Sequence, residues 1–208
     1  MNKGILLNVI LLFVLVSGAQ SQENHGKEKS DAEIKAELEQ IGTQDQTLRL
    51  LLPEVQAKFG NESTELKYFW SLINQQDSIN EIAVTKLIDN YGWVGKDRVG
   101  EEANQSLWLV IQHAPLEIQE KYLPLLRESV NERQSQGWHL AFLEDRILMR
   151  NGKKQVYGTQ SRLNKRTGQV EIVPIENFET VNERRRKIGL EPIEEYAEKN
   201  NYRLKQQK

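Results

Sequence analysis

The stretch Ser30–Phe59, SDAEIKAELEQIGTQDQTLRLLLPEVQAKF, decides the fold class. Within it Ile34, Leu38, Ile41, Asp45, Leu48, Leu52, Val55 and Phe59 follow one another in alternating steps of four and three. Residues spaced in this way share one side of an α-helix, so an amphipathic helix is predicted, with Gly42 and Pro53 as points that kink or divide it. Every slot of the stripe is apolar except the one held by Asp45.

The helical period continues toward the C-terminus. Leu66, Phe69, Trp70 and Ile73 mark another helix, and Ser78-Ile79-Asn80-Glu81 reads as a capping box opening a further one with Ile82, Leu87 and Ile88. Tyr91–Gly100 (YGWVGKDRVG) carries three glycines and is expected to be a structured loop. Glu101 and Glu102 then stand at a helix start, where the helix dipole favours acids, and Ala103, Leu107, Val110, Ile111 and Ala114 supply its buried stripe. Pro115 stops that helix and opens the next, striped by Tyr122, Leu123, Leu126 and Val130; Gly137 precedes a helix over Trp138–Arg150.

After Asn151-Gly152 the character changes. Gln155–Gln160 and Gln169–Ile175 are β-leaning runs flanking the turn-like Asn164–Gly168, which predicts a small hairpin. Short helices are expected over Val181–Ile188 and Ile193–Lys199. The class is mainly α: a multi-helix domain with one small β-hairpin near the C-terminal third.

Toward the N-terminus, one basic residue in Met1–Lys3 precedes the nearly unbroken apolar run Gly4–Val16 and the small residues Ser17, Gly18, Ala19 and Ser21. That order is expected of a secretory signal peptide over residues 1–21, cleaved after Ala19 or Ser21. The run is shorter than the roughly 20 residues that span a bilayer, so no membrane association is expected after cleavage. Residues 22–29 read as a flexible leader, 30–203 as a single helical domain and 204–208 as a tail.

The chain has 208 residues, no cysteine, and 28 basic against 30 acidic side chains. Loss of residues 1–21 would remove Lys3 and no acid, taking the net charge from −2 to −3. Without cysteine there is no disulfide framework, thiol nucleophile or cysteine metal site. Without a basic excess there is no general affinity for nucleic acid. Export without cysteine fits a bacterial envelope protein, periplasmic or secreted, better than a small disulfide-rich eukaryotic domain.

Function is sought where polarity intrudes on apolar stripes. Asp45 is one such residue; Gln119 aligns with Leu123, Leu126 and Val130; Asp145 lies between Phe142 and Met149; His113 sits a quarter turn off its stripe at a helix end. A buried carboxylate costs several kcal/mol unless paired and hydrogen-bonded, so each aspartate demands a partner. Arg49 lies one turn beyond Asp45. For Asp145 the candidates are Arg49, Gln155, Tyr157, Gln160 and Arg185. Such residues commonly do no more than fix helix register; converging in a cleft, they would mark a site. His113 and His139 belong to no metal-binding spacing, and neither a metal nor a cofactor is expected. No nucleophile elbow, phosphate-cradling loop or dinucleotide fingerprint is present. The basic run Arg184–Lys187 closes a predicted helix between Glu183 and Glu191, which suits a solvated or internally paired face.

The sequence resembles an uncharacterised bacterial family catalogued as domain of unknown function 6624. The resemblance rests on Asp45-Gln46-x-x-Arg49, Tyr91-Gly92-Trp93 with Gly100, Gln112-His113-Ala114, Gln119 with Leu123-Pro124, Leu143-x-Asp145-Arg146, Gln155-x-Tyr157-Gly158-Thr159-Gln160, and Arg184-Arg185 with Gly189-Leu190. Val94 stands where a proline would be more typical. The resemblance implies a shared fold and shared polar positions, and brings no reaction, substrate or cofactor.

Two functional classes follow. One is an exported domain that binds a small or extended polar ligand through Arg49, Trp93, His113, Gln119, Asp145, Arg146, Gln155, Tyr157 and Gln160. The other is an envelope hydrolase or transferase, with Asp145 or Asp45 as general base, His113 as acid or base, and Arg49 or Arg146 stabilising negative charge. A surface interaction module, revealed by an exposed apolar patch, is a third possibility.

Overall fold

A computed structural model describes residues 28–204; the expected signal peptide and most of the leader lie outside them. The decisive stretch forms one continuous helix, α1 (Asp31–Phe59), divided neither at Gly42 nor at Pro53. Ser30 caps it: its hydroxyl accepts the Glu33 amide, and the Glu33 carboxylate accepts the Ser30 amide. Burial of the predicted stripe is uneven. Ile34, Leu38, Ile41 and Asp45 are buried, whereas Leu48, Leu52 and Val55 are half-buried and Phe59 is exposed.

The next two predicted helices are a single one, α2 (Thr64–Tyr91), capped by Ser63. Ser78 caps nothing. Its hydroxyl donates to the Asn74 carbonyl one turn back, the usual outlet for a serine inside a helix. A short connection leads to α3 (Lys96–His113), interrupted at Gly100, whose φ of 84° is not helical. The helix therefore restarts at Glu101 and Glu102, as their charge suggests. Then come α4 (Leu116–Asn131) and α5 (Gly137–Arg150).

α1 packs on α2 and α3, and α4 on α5, around a core that includes Leu38, Val84, Leu107, Ile111, Tyr122, Leu126 and Leu143. α1 and α3 run parallel: Arg98 meets Asp31 at 2.7 Å, Ser106 faces Gly42, and His113 meets Asp45. At Gly42 the helices approach so closely that a β-carbon would stand 2.1 Å from the Ser106 hydroxyl oxygen. The glycine is there for proximity, not for bending.

Past α5 the chain builds a smaller unit: β1 (Ser161–Leu163) pairs antiparallel with β2 (Val170–Ile172), followed by a 3-10 turn at Phe178–Thr180, α6 (Val181–Lys187) and α7 (Ile193–Lys199). Ile172, Ile175, Val181, Ile193 and Ala197 form its own core. The hairpin is present, but its first strand is Ser161–Leu163 and not Gln155–Gln160, because the amides of Val156, Tyr157 and Thr159 go to a side chain and only Gln155 bridges to Ile175. No helix among the described residues is long and apolar enough to cross a membrane.

Candidate functional site

The polar residues flagged in the sequence separate into two places. In the first, Asp45 of α1 lies fully inside, and Nδ1 of His113, the last residue of α3, stands 3.1 Å from its Oδ1. Gln46 donates to Oδ2 at 2.6 Å. Arg49 donates to the Asp45 carbonyl at 3.0 Å, keeps Nη1 3.6 Å from its Oδ1, and sends Nη2 to Asp77 of α2 at 2.8 Å. Burial opposes the Asp45 charge, but the His113 hydrogen bond, the charges of His113 and Arg49 and the Gln46 amide together hold its carboxyl below the ordinary value. Three helices thus bring two acids, an imidazole and a guanidinium into one chain of contacts.

The pair does not sit in a sealed interior. His113, Asp77, Ser78, Glu81, Pro115 and Arg150 line an open cleft of about 260 Å³. Nδ1 of His113 is taken by Asp45, while Nε2 makes no hydrogen bond to any described residue, leaving it for whatever occupies the cleft. Oδ1 of Asp77 is buried and has no partner. Asp45, Asp77 and His113 each offer a ligand atom within 4.8 Å of the others, a spacing a cation could use. Arg49 already supplies positive charge to both carboxylates, which makes the set better suited to polar chemistry than to a metal.

The second place surrounds Asp145 of α5. Its carboxylate accepts the amides of Val156 (2.7 Å), Tyr157 (3.0 Å) and Thr159 (2.9 Å) and the Thr159 hydroxyl (3.0 Å). None of the expected partners reaches it through a side chain. Backbone donors suffice, because the loop folds over the carboxylate at Gly158, where φ is 78° and a β-carbon would stand 2.5 Å from Ile175 Cδ1. Burial pushes the Asp145 carboxyl up from its ordinary value, against the pull of those donors. Gln155 ties the loop shut, donating to the carbonyls of Gln160 and Val173 and accepting the Gln160 amide. Arg185 is buried and donates to the carbonyls of Tyr157 and Glu191. Gln160 turns its amide to Thr159 and the Phe142 carbonyl.

Two further sequence candidates lie apart from the cleft. Trp93 donates to Ser135 at 3.1 Å, and fully buried Gln119 donates to the Gln112 carbonyl at 2.7 Å. Arg146 follows Asp145 in α5 and lies one turn before Arg150, which lines the cleft; its buried Nε has no partner. His139 is buried between Trp108, stacked at 4.6 Å, and Trp138; neither ring nitrogen has a partner, and burial pushes its pKa down to about 3.

A family model matches residues 32–207, which takes in both places and nearly the whole chain. The chain belongs to the family of unknown function DUF6624. No curated protein and no solved structure matches it.

Asp77 and Arg150 are the residues sequence reasoning missed. For Asp77 the signal was available: Ile73, Asp77, Asn80 and Val84 stand in steps of four, three and four, so an acid occupies a slot of the α2 stripe as Asp45 does in α1. Taking Ser78 as a cap split the stripe and hid it.

Proposed function

We propose that this chain is an exported acid–base catalyst, a hydrolase or transferase, working in the cleft between α2 and the α3–α4 junction. The reading rests on one observation: His113 holds Nδ1 against the buried Asp45 carboxylate and faces the cleft. In that arrangement Asp45 fixes the ring's orientation through Nδ1, and Nε2 exchanges a proton with water or substrate. Arg49 reaches both Asp45 and Asp77 with its guanidinium and joins the two carboxylates. Asp145, named in the sequence as an alternative base, is saturated by backbone donors and serves the fold.

The test is a panel of chromogenic acyl, glycosyl and phosphoryl esters. A substrate turned over by the wild type is expected to lose about 10²–10⁴-fold in kcat/KM in His113→Gln and at least tenfold in Asp45→Asn. Unchanged turnover in His113→Gln would sink the reading. A second reading, an interaction module, is supported by exposed Leu50, Leu51, Phe59, Tyr68 and Trp70 on the far halves of α1 and α2. Concentration-dependent association abolished by Leu50→Glu, with turnover intact, would favour it.

A further inference from the structure

Arg146 has no place in the contacts described above. Its side chain is half-buried, its Nε is sealed from solvent without a partner, and it forms neither a hydrogen bond nor an ion pair with any described residue. Its charged neighbours are Arg49 and Arg150, both positive. Arg150, one turn further along α5, lines the cleft and donates Nη1 to the Ala114 carbonyl, the residue after His113. It too has no carboxylate partner. The nearby acids do not neutralise these two: Asp45 is taken by His113, Asp77 by Arg49, and Glu81, which lines the same cleft, makes no ion pair with either.

A half-buried guanidinium with an enclosed, unpartnered Nε and no carboxylate to balance it is costly as it stands, since its charge is partly desolvated and uncompensated. The cost is recovered when an oxyanion arrives, because the planar fork of arginine matches carboxylate and phosphate with paired hydrogen bonds. We infer that Arg146, with Arg150 beside it, forms an oxyanion-binding subsite next to the Asp45–His113 pair, so that the substrate carries a carboxylate or phosphate group. This rests on the acid–base reading for the word substrate, though not for the site. Arg146 is then a binding residue, and the chemistry stays with His113.

Thermal unfolding in inorganic phosphate and in succinate, each against sodium chloride at matched ionic strength, tests it. At roughly ten times Kd, one of the two anions is expected to raise the wild-type Tm by a few degrees, and which one does so separates phosphate from carboxylate. Arg146→Met is expected to melt at or above the unliganded wild type and to lose that shift. An equal shift in Arg146→Met, or no shift with either anion in the wild type, overturns the subsite. If Arg146→Met does not fold, Arg146→Lys keeps the charge without the fork and is expected to weaken the anion at least tenfold; an unchanged Kd overturns the proposal equally. His113→Gln should keep the anion shift. A shift retained there while turnover is also unchanged leaves the subsite standing without the acid–base pair; turnover lost there while the wild type ignores both anions does the reverse.

Discussion

Asp45 and Asp145 present the same anomaly in sequence, an acid in an apolar helical slot, and the structure resolves it in opposite ways. Around Asp145 the donors are three backbone amides and one hydroxyl. Amides cannot be titrated or displaced, so the carboxylate becomes a clasp joining α5 to the loop that leads into the second core. Around Asp45 the partners are side chains from α1 and α3, one able to change its protonation and to face a cleft. What distinguishes an anchor from a candidate catalyst is therefore the nature of the donors, which helical periodicity does not report.

The largest effect should come from cutting the clasp. Asp145→Ala leaves the amides of Val156, Tyr157 and Thr159 without their acceptor and is expected to cost about 3–6 kcal/mol, read as a lowered denaturant midpoint. A loss under 1 kcal/mol would erase the contrast with Asp45.

Asp45→Asn should cost less, about 1–2 kcal/mol, because Arg49 keeps Asp77. Its main consequence should instead be functional, the loss of turnover that His113→Gln shows more strongly. Loss of stability without loss of turnover would make both aspartates structural.

The smallest effect is in pH. A carboxyl held below its ordinary value in the native state adds stability above its unfolded value near 3.8, lost as pH falls through the lower native one. The penalty of Asp45→Asn should thus shrink on acidification below pH 4. Asp145 is pushed the other way, so its contribution is fullest below 3.8 and declines as pH rises through its native value. The penalty of Asp145→Asn should grow as pH falls toward 3.8 and level off below it, and a penalty that shrinks with acid, as for Asp45→Asn, would in urea titrations contradict the assignment. Both curves ride on His139, which is neutral in the fold and near 3; it contributes stability at neutral pH that is lost as pH falls from 6.5 toward 3.

Helix content was legible because burial obeys the 3.6-residue period, and Ala103, Leu107, Val110 and Ile111 of α3 and Ala114 just past its end are all buried as their spacing requires. Boundaries were less so. Ser30–Glu33 and Ser78–Glu81 share one pattern, yet only the first caps a helix, since a serine with a free carbonyl one turn back can sit inside one. The strand misplaced at Gln155–Gln160 has the same kind of origin: its β-leaning composition is real, but the amides of Val156, Tyr157 and Thr159 bond to Asp145 and not to a neighbouring strand. Of the site, Asp45 and His113 were visible as exceptions to a stripe. Their meeting was not, because no local rule tells which helices run parallel or how closely they pack.

The seat of Gly42 against Ser106 bears on that meeting. It lies three residues before Asp45 on one helix and seven before His113 on the other, so a contact with room for nothing larger than hydrogen fixes the height of acid against base. The spacing of the pair is then a gauge set by two rigid rods, indifferent to the connections between them. The turn at Gly60–Ser63 could be lengthened, or opened to make new termini, without altering the reach of one group for the other.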